Sequence, residues 1–572
     1  MVKCITDMDK ILASFTKKQQ FILIMLAVVT CLIITLLGSI MISQTRRRAA
    51  VPSAPVATAT PAPITSTLTV PPPVSSPTLP PTWTPTPEVT VLIETPSFEQ
   101  THCPFDVPIG AQVDCGVVIV REDREGTDPN DVIRLAVAVY HSTSDNPQPD
   151  PVIFLQGGPG SGAVEDIVLA YDSFIAPILA ERDLIVFDQR GTGLSQPLLD
   201  CPEYSRLVER QLRQGFFIGD EDPAQYTDAL LACRDRLTRR GADLAAYTSA
   251  ASAADVNDIV TVLGYEQVNL YGASYGTRLA QTVMRDFPGI VRSAVLDSAL
   301  PLEIDIYNEQ AAKTDYALNK LFAGCAANPG CNAAYPNLER MYYDLVAQLD
   351  AEPVSVWGVM ASDGRTFNVD VNGVELTSAV FFAMYATDLI PMAPQMINDV
   401  RLGDYTWLRI FLAAPMNLSD GLSLGMMLSV NCHEEIFATT PEEIDAANDA
   451  YPNTAVFGKS ALFGSAEEHY ALCETWGAAP FDPREIEPVT SPIPALILVG
   501  EYDPATPPSF GLQVAENLPN SYFFEFPGRG HTSSVGVRAC PFEMALAFLT
   551  DPTTTPDSTC IADMTEPDFF VD

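Results

Sequence analysis

Histidine and positive charge are what this chain has least of. Five histidines occur in 572 residues, and 32 Lys and Arg stand against 72 Asp and Glu, giving a net charge of −40. A nucleic-acid binder needs a basic surface to meet phosphates, so that class is excluded. The same acidity repels anionic lipid head groups and suits a soluble, self-repelling surface that attracts cationic ligands. No C-x-x-C occurs, and the cysteine spacings do not fit a zinc site. With the histidines few and scattered, neither a catalytic metal nor an organic cofactor is expected.

Charge is missing altogether from Phe21 to Ser43, "FILIMLAVVTCLIITLLGSIMIS", a run of 23 residues. That is long enough to span a hydrocarbon core of about 30 Å. It exceeds the apolar region of a usual signal peptide, and no A-x-A site follows directly, so a retained anchor is expected. Lysines precede it and Arg46 to Arg48 follow it, so flanking charge sets no orientation. From Ala49 the chain is rich in Pro, Thr, Ser and Ala and carries no charge until Glu88. Such a stretch builds no core and favours extended polyproline II, a stalk on the order of 100 Å or more.

Cysteines supply the orientation. Cys4 and Cys31 lie before or within the anchor, and ten more run from Cys103 to Cys560. An even set beyond the anchor suits an oxidising compartment, with neighbour pairing as the simplest connectivity. The ectodomain is therefore expected outside the cytoplasm.

Apolar runs recur from Cys103 onward: "CGVVIVRED", "VIRLAVAVYH", "PVIFLQ", "DLIVFDQ", "VNLYG", "RSAVLDSA", "PALILVGE" and "SYFFEF". The first two alternate apolar with polar, as a hairpin does. The later ones are almost wholly apolar, as strands buried on both faces of a parallel sheet are. Helical spacing separates them, which predicts an α/β fold with an antiparallel edge. The expected organisation is a cytoplasmic N-terminus over 1–20, the anchor over 21–43 and the stalk over 44–98. A core follows over 99–301, a helical lid over 302–489, and the rest of the core over 490–572.

Two stretches spell G-x-S-x-G. Ser274, in "VNLYGASYGTRLA", follows a strand-like run and opens a helical one, the corner a nucleophile elbow needs. Ser423 follows "PMNLSD", which is no strand, and reads as a turn or helix start. A serine hydroxyl needs a base, and the base an orienting acid. His102 and His141 precede the glycine loop "QGGPGSG", and His433 and His469 sit in the lid. That leaves His531 in "PGRGHTSS" as the base. Asp503, after "PALILVGEY", is the expected acid, with Asp297 at the end of "SAVLD" as the rival. The chain order Ser274, Asp503, His531 is that of an α/β-hydrolase. Two backbone N–H groups must meet the developing oxyanion: that of Tyr275, and one from Gly157 or Gly158.

These blocks resemble the α/β-hydrolase-fold serine peptidases that include prolyl aminopeptidases and secreted bacterial tripeptidyl aminopeptidases. The resemblance is carried by "GGPGSG" from Gly157, "FDQRGTGLS" from Phe187, "YGASYGT" from Tyr271 and "AVLDSALP" from Ala294. "GEYDPATPP" from Gly500, "GRGH" from Gly528, and Cys540 with Cys560 complete it. It covers about residues 100 to 565, and the Ser-Tyr-Gly-Thr form with the cysteine-bearing tail is more similar to the tripeptidyl branch. It implies a mostly parallel sheet with helices on both faces, acyl transfer to Ser274, and peptides with a free N-terminus as substrates. Acidic lid residues of the family bind the α-ammonium, and Glu434 and Glu435 stand at the matching place in "VNCHEEIF". Gln156 departs from the His that prolyl aminopeptidases carry there, which leaves open how the glycine loop is held. An esterase on the same fold and an inactive surface-binding scaffold are the alternative readings.

Overall fold

The eight apolar runs become strands of one nine-stranded sheet ordered β1-β2-β3-β5-β4-β6-β7-β10-β11. The computed structural model describes residues 96–571 apart from 129–130, 215–223, 360–365, 413–420, 461–462 and 536–538. Strands β2 (Val113–Arg121) and β3 (Val132–Tyr140) pair antiparallel, and β1 (Ser97–Thr101) adds to the edge at β2. Strands β4 (Val152–Leu155), β5 (Leu184–Phe187), β6 (Val268–Ala273), β7 (Val291–Asp297), β10 (Ala495–Gly500) and β11 (Ser521–Phe526) run parallel. The anchor expected at 21–43 lies outside the described residues, as does the stalk except its last three residues, of which Ser97 and Phe98 belong to β1. Among the described residues, no helix is long and apolar enough to cross a membrane.

Each parallel strand feeds two cores because successive side chains face opposite ways. In β4, Ile153 and Leu155 enter one cluster while Val152 and Phe154 enter the other. In β10, Ala495, Ile497 and Val499 part from Leu496 and Leu498 in the same manner. That is why these runs carry no polar alternation.

Between β7 and β10 the chain leaves the sheet and builds a third cluster of its own. The block is mostly helical, and beyond the helical segments expected there it also holds an antiparallel pair, β8 (Val354–Val359) with β9 (Thr366–Val371). Tyr502 from the sheet side and Phe569 from the C-terminal tail are buried in this cluster. The tail is fixed further by the Phe570 amide, which donates to Pro391 O at 3.0 Å.

All ten expected cysteines pair with their neighbours: Cys103–Cys115, Cys201–Cys233, Cys325–Cys331, Cys432–Cys473 and Cys540–Cys560. His469 is fully buried in the helix Ala466–Trp476, between the rings of Tyr307 and Phe463. Its Nδ1 accepts from the Phe463 amide at 3.1 Å, and its Nε2 has no partner. Burial lowers its pKa from 6.5 to about 4.

Two stability measurements follow. Chain entropy ties the worth of a cross-link to loop length, and Cys432–Cys473 spans 41 residues against 6 for Cys325–Cys331. Replacing the first pair by alanine should cost about 4 kcal/mol in denaturant unfolding and the second about 2 kcal/mol; equal losses would contradict this ordering. His469 is neutral in the fold, so the unfolded chain takes up its proton first as the pH falls. Its contribution is present above about pH 6.5 and lost towards pH 4. Over that window the parent should lose about 3 kcal/mol more than His469→Gln, and urea titrations at both ends of it read the difference.

Candidate active site

The parallel strands end together, and the corner after β6 is the tightest. Ser274 caps the helix Tyr275–Asp286 with φ 58° and ψ −126°, a conformation that costs a non-glycine residue about 1–3 kcal/mol. Small neighbours make the corner possible. A Cβ on Gly272 would lie 2.5 Å from Gly276 O, and one on Gly276 would strike the Leu155 carbonyl at the end of β4. The Ser274 amide is held by Asp297 O at 2.9 Å, across the β6–β7 register.

Asp503 follows β10 and is wholly buried. Its carboxylate accepts the amides of Ala505 and Thr506 at 2.8 and 2.9 Å, and the hydroxyls of Thr506 and Ser298 at 2.8 Å each. His531 Nδ1 lies 2.9 and 2.8 Å from its two oxygens. Burial opposes ionisation, but the His531 imidazole, the Thr506 amide and the Ser298 hydroxyl more than offset it and hold the carboxyl below its ordinary range. The other ring nitrogen is unengaged: His531 Nε2 is buried and has no hydrogen-bond partner.

The rival acid has different work. Asp297 accepts the amides of Ser533 and Ser534 at 3.0 and 2.8 Å and the Ser534 hydroxyl at 2.5 Å. It fixes the backbone just after His531 and does not bond the imidazole, and burial raises its carboxyl. Of the remaining described histidines, His141 lies between Asp114 and Asp183, His433 Nδ1 is 3.2 Å from Ala479 O, His469 is packed as above, and His102 is exposed.

The glycine loop reaches the corner: a Cβ on Gly157 would lie 3.0 Å from Ser274 Cβ and 3.5 Å from its Oγ. Gln156 answers the question its presence raised. Its Oε1 accepts the Gly157 amide at 3.0 Å and its Nε2 donates to Gly162 O at 3.3 Å, so one side chain ties both ends of the loop. With the Gly157 N–H so engaged, Gly158 is the glycine whose amide faces no such competitor. The Tyr275 amide, first in its helix, has no acceptor within the helix. Asp188 braces the loop from behind by accepting the amides of Ala163, Val164 and Leu194 at 2.6 to 2.9 Å. Ser423 opens the helix Leu424–Glu434, and its amide donates to Gly160 O at 2.9 Å and its hydroxyl to Gly191 O at 2.6 Å. The second G-x-S-x-G thus fastens the insertion to the glycine loop.

Glu434 and Glu435 meet the helix Tyr275–Asp286 through Arg278, one turn after Ser274, and all three side chains are buried. They are not equivalent. Glu434 takes the Ser249 amide at 2.7 Å and the Ser249 hydroxyl at 2.8 Å, and that hydroxyl also meets Tyr275 Oη at 2.7 Å. It therefore meets the first amide of the helix Ser249–Val262, whose N-cap is Thr248. Glu435 pairs with Arg278 Nη1 and accepts the Ile306 amide at 3.2 Å; burial, opposed by Arg278, raises its carboxyl. Beside it stands an acid that sequence reasoning missed. Asp305 Oδ1 accepts the Tyr307 amide at 2.8 Å, while Oδ2 is buried and unpartnered. Lys313, buried within range of Asp503, Glu435 and Asp305, was missed too; burial lowers its ammonium to about 8. Neither residue sits in a recognisable motif. Among the described residues, no cluster of His, Cys, Asp and Glu is placed to hold a metal ion.

Comparison with known proteins finds the same fold. The α/β hydrolase fold family profile matches residues 150–358, and the TAP-like protein profile matches residues 460–560. The serine protease Hip1 of Mycobacterium tuberculosis is 25% identical over 478 residues, covering 79% of this chain and 87% of that protein. The carboxylesterase B of the same species is 28% identical over 429 residues, covering 70% and 78%. A tripeptidyl aminopeptidase of Streptomyces coelicolor is 27% identical over 210 residues, covering 35% and 37%. The chain is a serine hydrolase on the α/β-hydrolase fold, similar to serine peptidases built on that fold.

Proposed function

We propose that the protein is a membrane-tethered, extracytoplasmic serine aminopeptidase in which Ser274, His531 and Asp503 form the catalytic triad. The observation that carries this reading is the pairing of His531 Nδ1 with a fully buried Asp503, which leaves a buried, unpartnered Nε2 at the edge where the Ser274 corner stands. Five disulfides fit an oxidising compartment, and the apolar run at 21–43 supplies the tether.

In this mechanism Ser274 Oγ attacks the scissile carbonyl while His531 Nε2 takes its proton. The carbonyl oxygen becomes negative and is met by the Tyr275 and Gly158 amides. His531 then passes the proton to the leaving amine, the C–N bond breaks, and an acyl-serine remains. Water, deprotonated by the same imidazole, adds to the acyl carbon and releases the N-terminal fragment with Ser274 Oγ reprotonated. Glu435 and Asp305 are the acids assigned to the substrate's α-ammonium, because an unpartnered buried carboxylate oxygen calls for a cationic donor. Glu434, the other acid expected there, is engaged at Ser249 and supports the pocket from behind. An esterase is the second reading, favoured by the likeness to carboxylesterase B.

Two experiments test this. A fluorophosphonate should label Ser274 alone, and Ser274→Ala should abolish labelling and lower turnover by several orders of magnitude. In the same series Asp503→Asn should lower kcat by roughly 10⁴-fold, whereas Asp297→Asn should cost far less; the opposite ranking would exchange the two acids. Specificity is read with a matched pair of free and N-acetylated peptides. Removing the ammonium should lower kcat/KM by roughly ten- to 150-fold, and Glu435→Gln or Asp305→Asn should erase most of that preference. Equal cleavage of both peptides would reject the aminopeptidase in favour of the esterase or an endopeptidase.

A further inference from the structure

The loop that bears His531 is built partly by the insertion. The His531 amide donates to Tyr385 O at 2.9 Å, and the Gly530 amide donates to Thr387 Oγ1 at 3.0 Å. Tyr385 ends the helix Gly373–Tyr385, whose last carbonyls have no partner within the helix, so the His531 amide satisfies one of them. The Tyr385 ring lies against the imidazole, with centroids 4.3 Å apart and planes inclined at 39°. Burial, and then the charge of Asp503, push the Tyr385 phenol upward. The far end of the same segment is held by the tail, through Phe570 N to Pro391 O.

We infer that Tyr385 is a positioning residue for His531, so that the insertion forms part of the catalytic base as well as a cover over the site. The inference rests on the triad proposed above. When His531 takes the Ser274 proton it becomes an imidazolium, and two features of the insertion favour that cation. One is the face of an aromatic ring within about 6 Å; the other is the partly negative C-terminal end of a helix. Both act on the charge that develops in the reaction and barely touch the neutral ground state. The ring also limits the rotation of the imidazole about its bond to the backbone.

The test uses the full-length chain and four variants. Tyr385→Leu should lower kcat by roughly three- to thirty-fold with KM within about two-fold, and should slow fluorophosphonate inactivation by the same factor. Tyr385→Phe keeps the ring and should recover most of kcat. Thr387→Val removes only the bond to Gly530 and should lower kcat several-fold at unchanged KM; it decides the matter if Tyr385→Leu does not fold. Wild-type kcat in Tyr385→Leu, a Phe variant as slow as the Leu variant, or a rise in KM alone would each overturn the inference. If Tyr385→Leu is unfolded, wild-type kcat in Thr387→Val does the same. Ser274→Ala separates the two levels: if it stays active the triad itself is wrong, whereas an inert Ser274→Ala beside a fully active Tyr385→Leu rejects only the role of Tyr385.

Discussion

A carboxylate without solvent must have its oxygens met by donors, and Asp503 is such a group. Removing an ionised carboxyl from water costs several kcal/mol unless hydrogen bonds replace the lost hydration. Here the replacements come from three parts of the chain: Ser298 after β7, Ala505 and Thr506 in its own loop, and His531 after β11. Those parts meet only because β7, β10 and β11 are parallel neighbours that end at one edge. Ser298 is tied in twice, since its hydroxyl also accepts the Thr532 amide at 2.8 Å and its own φ is 60°. The carboxylate thus sets the geometry of the sheet's working edge as much as it sets the imidazole.

The same logic of satisfied backbone explains motifs that do not touch substrate. "FDQRG" places Asp188 and Gln189 behind the glycine loop, where they meet amides and a carbonyl that would otherwise be buried unpaired. Arg190 in that motif turns away and pairs with Asp255 while donating to the carbonyls of Glu122 and Ala246. The loop is therefore shaped by side chains some thirty positions later in the sequence, and the insertion closes over it through Ser423. Glycines supply the room, and these carboxylates and amides supply the fixity.

Legibility differed by element. The buried parallel strands were plain because both faces are apolar and each run is short. β1, "SFEQT", was not: it is a polar edge strand with little buried surface, and only its pairing with β2 makes it a strand. β8 and β9 hid within helical surroundings, although "VSVWGV" and "TFNVDV" alternate as a hairpin should. Glu434 and Glu435 looked interchangeable in sequence and both meet Arg278, yet one takes the Ser249 amide and the other takes the Ile306 amide in the neighbourhood of Asp305. Glu434 is the last residue of its helix and Glu435 lies just beyond it, so their side chains diverge and only packing could tell them apart.

The sequence by itself determined the α/β class, the Ser274 corner and the chain order of the candidate residues, and it offered neighbour pairing as the simplest connectivity of the cysteines. Each of these rests on local spacing: an apolar period, small residues around a tight turn, or few candidates of one type. Tertiary structure decided which aspartate holds the imidazole, which glycine amide is left free, and which acids gather around Arg278. It also decided that Tyr385, more than 140 residues from His531, packs on its ring. Those choices depend on which donors and charges meet across a sheet edge and an insertion. No local pattern encodes that meeting.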